Sequence, residues 1–151
     1  MKDLHGEATR TVSASQRACL DLLGDVEAYP RWYPQVVRAV EVLQRDGDRV
    51  TRVRATLHAA VGPLNRDLDL VLGVSLDPDT VRLARELNER SDRERFEVLW
   101  RTHEDGSGQT RLALALDASL DIPRFVPTGG LAEQLASGFV DAAARELDGQ
   151  R

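Results

Sequence analysis

The sequence contains one cysteine and one lysine in 151 residues, and it lacks any long apolar run. Cys19 has no second cysteine to pair with, which excludes an internal disulfide and is typical of proteins from a reducing cytoplasm. The first residues lack the apolar stretch of a secretory signal, and no segment approaches the ~20 apolar residues of a membrane-spanning helix. We therefore expect a cytoplasmic protein without a membrane span.

The charge balance is also informative. The formal net charge is −5, and Lys2 is the single lysine. Nonspecific binding to nucleic acid needs patches of Lys and Arg, so direct binding to nucleic acid is not expected. With 42% hydrophobic and 30% charged residues, the composition is that of a globular chain. The length predicts a single domain over residues 1–151, with residues 1–7 as a flexible tail.

Alternating apolar and polar residues between short turn signals predict an antiparallel meander. A two-residue turn at Asp46-Gly47 would place Val40 opposite Val53 and Glu41 opposite Arg52. The turns at Gly62-Pro63 and at residues 105–109 predict further apolar cross-strand pairs: Leu57 with Leu68, Ala55 with Leu70, Val53 with Leu72, Thr102 with Leu112, Trp100 with Leu114, and Val98 with Leu116. Each hairpin then has one apolar and one polar face.

The polar face of the second hairpin would pair Thr56 with Asp69 and His58 with Asp67. A histidine beside an aspartate resembles the base and its orienting group in some enzymes, but this pair would lie away from the apolar face. We interpret it as a surface cross-strand pair. The histidines are scattered and no phosphate-binding loop is present, so neither a metal nor another cofactor is expected.

Helical segments at two places can cover the apolar face. Ser15 is a suitable N-cap for a short helix that ends near Leu23 and Gly24, and Asp25 can cap a second turn that Pro30 interrupts. Near the C-terminus, apolar residues recur every four positions from 131 to 147, which predicts the longest helix. With an opening strand at residues 8–14, the order is strand, two short helices, six strands and a long helix, which indicates an α+β fold.

This order and one local motif resemble a known superfamily. The motif Asp25-(x)3-Tyr29-Pro30-x-Trp32-x-Pro34 leads into a Val-rich strand, and the chain resembles the START-like (SRPBCC) superfamily. The nearest branch is the polyketide cyclase/dehydrase and lipid transport group, which includes coenzyme Q-binding proteins and ribosome-association toxins. The resemblance implies a helix-grip fold, in which a curved seven-stranded antiparallel sheet surrounds the C-terminal helix and leaves a cavity between them.

The cavity predicts the ligand-binding residues. Small residues at Ala55 and Ala59 in the sheet and at Ala132 and Ala136 in the helix would leave space there. The candidate ligand-binding residues are Trp32, Tyr33, Arg38, Val53, Ala55, Leu57, Leu70, Leu72, Arg85, Phe96, Val98, Trp100, Leu114, Leu131, Leu135 and Phe139. The polar residues of this set are Arg38, Arg85 and Tyr33. Both arginines share the phase of apolar residues along their strands, and Tyr33 is expected at one end of the cavity. Phe125 is also expected at that end.

Three functions follow from this interpretation. Binding or transport of a small hydrophobic molecule, such as a lipid, a quinone or a polyketide-like aromatic, is favoured because no convincing acid–base set is present. An aromatase/cyclase enzyme is the second, with Arg38, Arg85 or Tyr33 orienting a reactive chain. A protein-interaction module resembling the ribosome-association toxins is the third, and it predicts a filled interior. The protein is expected to be a monomer or a homodimer.

Overall fold

A computed structural model describes residues 2–61, 64–86 and 94–149 of the chain. All seven strands form one antiparallel sheet in the order β1-β7-β6-β5-β4-β3-β2. The elements along the chain are β1 (Lys2–Val12), α1 (Gln16–Gly24), a 3-10 helix (Val26–Ala28), α2 (Tyr29–Trp32), β2 (Val37–Asp46), β3 (Arg49–Val61), β4 (Leu64–Leu76), β5 (Thr80–Arg85), β6 (Arg95–Glu104), β7 (Thr110–Leu120) and α3 (Leu131–Gly149). This is the helix-grip fold expected from the sequence.

Two of the three predicted hairpin registers are confirmed. Leu57 pairs with Leu68 across β3 and β4, and Trp100 pairs with Leu114 across β6 and β7. The other pairs predicted for these two hairpins are also found. These apolar residues are buried on the side of the sheet that faces α3. Alternation of apolar and polar residues therefore determines which face of the sheet forms the core.

The predicted register of β2 against β3 is wrong by two residues. Asp46 pairs with Arg49, so the turn consists of Gly47 and Asp48 and not of Asp46 and Gly47. Gly47 takes a positive φ of 64°, which glycine adopts without strain. A shift by two leaves the faces unchanged, but it changes partners: Val40 faces Ala55, and Glu41 faces Arg54, 3.4 Å from its guanidinium.

β1 is longer than predicted. It begins at Lys2, and residues 2–7, expected to form a tail, pair with β7. Leu4 is buried, and the Lys2 ammonium donates hydrogen bonds to the carbonyls of Arg124 and Val126. The prediction failed because Gly6 is a weak strand former in isolation, whereas pairing with β7 fixes its conformation.

The short helices follow the prediction with two corrections. The Ser15 hydroxyl accepts a hydrogen bond from the Ala18 amide at 3.1 Å, which confirms the N-cap of α1. The side chain of Asp25 makes no capping hydrogen bond to the 3-10 helix that follows it. Pro30 does not interrupt the next turn but lies in the first turn of α2, where its missing amide hydrogen has no cost.

α3 is held against the sheet by β1. A Cβ atom at Gly6 would overlap the carbonyl group of Ala132, so the strand and the start of the helix approach as closely as backbones allow. Further along, the Arg10 guanidinium lies 3.0 Å from the Asp141 carboxylate. Within the described residues, no helix has the length and apolar character needed to cross a membrane.

Candidate functional site

Two apolar cavities lie between α3 and the sheet, and we call them the first and second compartments. The first is bounded by β2 to β6 and the 3-10 helix, and its lining residues include Val26, Tyr29, Val37, Ala55, Leu72 and Val98. The second lies nearer β1 and the start of α3, including Leu4, Val36, Ala59, Leu68, Leu120 and Leu131. Each has a volume of about 20 Å³, room for roughly one water molecule.

Three side chains form a wall shared by the compartments. Leu57, Phe96 and Phe139 line both of them. Phe139 extends from the middle of α3 into an aromatic cluster, and its ring centroid lies 4.6 Å from that of Tyr33 and 6.3 Å from that of Trp100. These three side chains therefore separate the two compartments.

Half of the predicted ligand-binding residues line a compartment. These residues are Ala55, Leu57, Leu72, Phe96, Val98, Leu131, Leu135 and Phe139. Val53, Leu70, Trp100 and Leu114 are buried as predicted but line neither compartment. Contact of any of these residues with a ligand remains a prediction.

The small residues of α3 do not have the expected role. Ala55 lines the first compartment and Ala59 the second, in agreement with the prediction. Ala132 and Ala136 line neither, although both are buried, and Ala132 is where the helix meets Gly6. At Ala132 the small side chain belongs to the close approach of the helix to β1 and leaves no space for a ligand.

The two candidate arginines lie outside the compartments. Arg38 is exposed, because the irregular pairing between Val37 and Ala39 turns Val37 inward and Arg38 outward. Arg85 is half-buried at the end of β5 and donates a hydrogen bond to the Glu94 carbonyl oxygen at 2.8 Å. The expectation that Arg38 lies in the apolar phase is wrong, and Arg85 follows the alternative of a guanidinium paired at the end of a strand.

Tyr33 and Trp32 belong to the aromatic cluster beside α3. Burial raises the pKa of Tyr33 to about 12, so its hydroxyl stays protonated at neutral pH. That hydroxyl lies against Gly138, where a Cβ atom would overlap it. Among the described residues, the buried Nε1 atoms of Trp32 and Trp100 find no hydrogen-bond partner. Both rings therefore contribute mainly apolar packing.

Sequence reasoning missed Tyr29 as a lining residue of the first compartment. Its hydroxyl donates to the Leu23 carbonyl at 2.6 Å, and burial raises its pKa. Tyr29 is the fifth residue of the motif on which the family resemblance rests. Its position in that motif was the sequence feature that could have identified it as a lining residue. Leu4 was missed because it fell in the presumed tail. Phe125, expected near the cavity, is 82% exposed on the β7–α3 loop.

The His58–Asp67 pair is confirmed as a cross-strand pair, but His58 also lines the second compartment, from which the pair was expected to lie away. The His58 ring Nδ1 lies 2.7 Å from the Asp67 carboxylate, next to a Thr56–Asp69 hydrogen bond of 2.6 Å. Of the residues that the structure describes, no Ser or Cys lines either compartment. Cys19 lies buried in α1, where burial raises the pKa of its thiol to about 11. The arrangement favours holding an apolar molecule over nucleophilic chemistry.

The same architecture occurs in solved proteins. A START superfamily protein from Mycobacterium smegmatis is 22% identical, with a TM-score of 0.69 over 97% of this chain and 95% of that chain. TTHA0849 from Thermus thermophilus is 20% identical, with a TM-score of 0.74 over 97% and 99%. The Zhui aromatase/cyclase from a Streptomyces species is 18% identical, with a TM-score of 0.69 over 97% and 94%. At these identities the likeness shows the fold.

No curated protein matches the chain. The sequence of residues 12–148, however, matches a family described as polyketide cyclase / dehydrase and lipid transport. The match includes the 3-10 helix, both compartments apart from Leu4, and nearly all of α3. The chain belongs to the polyketide cyclase / dehydrase and lipid transport family.

Proposed function

We propose that the protein binds a small hydrophobic molecule between its sheet and α3, without catalysing a reaction on it. The observation that carries the proposal is the pair of apolar compartments that meet at Leu57, Phe96 and Phe139. Among the described residues, their lining side chains are apolar apart from the Tyr29 hydroxyl, which is bonded to the Leu23 carbonyl, and the His58 ring, which is bonded to Asp67. Such a surface favours apolar ligands through burial of hydrocarbon, at about 25 cal/mol per Å².

The compartments must enlarge for this function. Ligand cavities usually measure ~300–1,000 Å³, whereas each compartment holds about 20 Å³. Displacement of the Phe139 side chain would join the two, and the space gained would lie in the otherwise apolar interior. The ligand itself would compensate for the lost contacts of the ring, as expected for a pocket that forms on binding.

The test uses N-phenyl-1-naphthylamine, an uncharged probe that fluoresces in apolar surroundings. The wild-type protein should enhance its emission saturably. Phe139→Trp should raise the dissociation constant about tenfold or more, because the larger ring fills the space at the shared wall. Leu99→Trp, on the opposite face of the sheet, is the matched control and should bind as the wild type does. Absence of saturable binding to the folded wild type would refute the proposal.

A protein-interaction role is the second candidate, and the nearly filled interior favours it. Phe125, 82% exposed on the β7–α3 loop, is the large apolar side chain that such a surface would use. Purified ribosomal particles provide the test. Cosedimentation that is lost in Phe125→Ser, together with no binding of the naphthylamine, would favour this candidate over the first.

We also propose an oligomeric state and the absence of a cyclase activity. A monomeric or homodimeric state without direct contact to nucleic acid agrees with the net charge of −5. An aromatase/cyclase activity would need polar groups at the ligand, and the predicted ones, Arg38, Arg85 and Tyr33, line neither compartment. Unchanged naphthylamine affinity in Arg38→Ala is therefore the expected result.

A further inference from the structure

The second compartment reaches solvent at a mouth formed by four half-buried side chains, of which His58 is the polar one. Val36, Ala59 and Leu135 are half-buried, whereas the other apolar residues of the lining are buried. Val36 precedes β2, Ala59 lies near the end of β3, and Leu135 lies in the first turns of α3. A ligand that enters the second compartment with little rearrangement therefore passes between these residues.

An unpaired strand edge borders the mouth. The ladder between β2 and β3 ends at the pair of Val37 and Leu57, and the His58 amide then donates to the Val36 carbonyl at 2.7 Å. β3 continues to Val61. Within the described part of the chain, no strand lies beside residues 59–61 on the β2 side.

The backbone groups of Ala60 point toward this open side. Along a strand, the amide and carbonyl of alternate residues point to the same side. Because the His58 amide points toward β2, the amide and carbonyl of Ala60 do so as well, beyond the start of β2. The open strand edge at the mouth thus offers one hydrogen-bond donor and one acceptor, both uncharged.

Among the described residues that line the compartments, none offers an unpaired charge to an ionised group. Among their polar side chains, the Tyr29 hydroxyl is bonded to the Leu23 carbonyl and the His58 ring to Asp67. An ion buried without a partner is strongly disfavoured. A ligand therefore needs an apolar body, and any polar head must be neutral and remain at the mouth.

We infer that the ligand is an uncharged amphiphile whose hydroxyl head forms hydrogen bonds with the Ala60 backbone while its apolar body occupies the second compartment. The inference rests on the proposed function and adds to it the chemistry of the head, its position and the route in. A hydroxyl suits the site because it can accept from the Ala60 amide and donate to the Ala60 carbonyl.

A matched series of ten-carbon probes tests the head group. Decan-1-ol, decanoate and decyltrimethylammonium compete with bound N-phenyl-1-naphthylamine at neutral pH. Decan-1-ol should displace it at a concentration about tenfold lower than either ion requires. Displacement by decanoate or by the ammonium at an equal or lower concentration would overturn the inference while leaving the proposed function in place.

Substitutions of two alanines test the position of the mouth. Ala59→Phe should close it and raise the dissociation constant for decan-1-ol about tenfold or more. Ala113→Phe places the same ring on the outer face of β7, away from the mouth, so its affinity should stay within about twofold of the wild type. An equal effect of the two substitutions would contradict the assignment of the mouth.

Hydrogen exchange of the Ala60 amide gives a readout that needs no variant. Bound decan-1-ol should slow this exchange, and bound N-phenyl-1-naphthylamine, which has no hydroxyl, should slow it much less. Equal exchange with and without decan-1-ol at saturation would exclude a hydrogen bond to Ala60. If neither molecule binds the folded wild type, the proposed function fails as well.

Discussion

α3 meets the sheet closely on one side and loosely on the other. On the β1 side, Gly6 abuts the Ala132 carbonyl, Arg10 pairs with Asp141, and the Ser13 amide donates to the Asp148 carboxylate at 3.4 Å. On the side of β3 to β5, the space is filled by aromatic rings and the first compartment, and the second compartment extends from there toward β1. Because the helix is attached along one edge, the opposite side can change its packing without releasing the helix.

The largest expected effect comes from a matched pair of leucines on the two sides. Leu114 in β7 is 1% exposed and lines neither compartment, whereas Leu72 in β4 lines the first. Leu114→Ala should lower the free energy of unfolding by about 4–5 kcal/mol and Leu72→Ala by about 2–3 kcal/mol, since a side chain beside an existing cavity has fewer contacts to lose. Urea unfolding measures both. Equal losses would show that the two sides are packed alike.

Gly6 tests the close side directly. Gly6→Ala adds a Cβ atom that must overlap the Ala132 carbonyl, and it should cost about 3 kcal/mol in the free energy of unfolding. Gly129→Ala, where a Cβ atom meets open space, should change it by less than about 0.5 kcal/mol. A small loss at Gly6 would mean that the helix can move away from β1 at little cost.

The sequence allowed the core face to be predicted better than the site. Alternation placed Leu57, Trp100 and Leu114 on the inner face and gave two registers correctly, because side chains along a strand have a period of two. The same logic failed at Arg38, where an irregularity in β2 shifts the phase by one residue. Alternation cannot reveal such a bulge, since it depends on how neighbouring strands pair.

The roles of small residues were equally hard to predict. Ala59 and Ala132 both lie in apolar phases of the sequence, yet Ala59 lines a compartment and Ala132 contacts β1. Distance between two elements decides whether a small side chain leaves a cavity or allows a close approach, and this distance is set by the whole fold. The role of Ala132 depends on Gly6, a residue far from it along the chain, because the absence of a side chain at Gly6 lets β1 approach the helix.

A carboxylate clasp fastens the loose side at its end, and its removal should have an intermediate effect. Both Glu94 carboxylate oxygens bind Arg66, at 2.9 and 3.0 Å, and one also accepts from the Asp121 amide at 2.9 Å. Glu94→Gln should lower the free energy of unfolding by about 1–2 kcal/mol, because solvent partly screens these half-buried groups. Glu41→Gln, which removes an exposed partner of Arg54, should cost less than about 0.5 kcal/mol.

The clasp also predicts a dependence on pH. Burial raises the pKa of Glu94, but the hydrogen bonds from Arg66 and the Asp121 amide outweigh it, so the folded pKa lies below the ordinary value of 4.5. Its stabilisation is present above pH 4.5 and is lost as the pH falls through the lowered pKa. Acid titrations of unfolding should show a shallower loss for Glu94→Gln than for the wild type. An equal slope would show that Glu94 does not contribute to acid sensitivity.

The smallest effect is expected on the close side, at the outer face of β1. The His5 ring Nδ1 lies 2.6 Å from the Asp117 carboxylate, and this hydrogen bond and the charge of Asp117 raise the pKa of His5 above 6.5. The stabilisation is therefore complete below pH 6.5 and is lost as the pH rises through the raised pKa. The fall in Tm between about pH 6 and pH 9 should be smaller for His5→Gln than for the wild type. For His103→Gln on β6, the fall should equal that of the wild type. An equal fall in Tm for His5→Gln and His103→Gln would show that the charge on His5 does not help to hold β1 to β7. The attachment of α3 to β1 would then depend on the backbone contact at Gly6 and the Arg10–Asp141 pair.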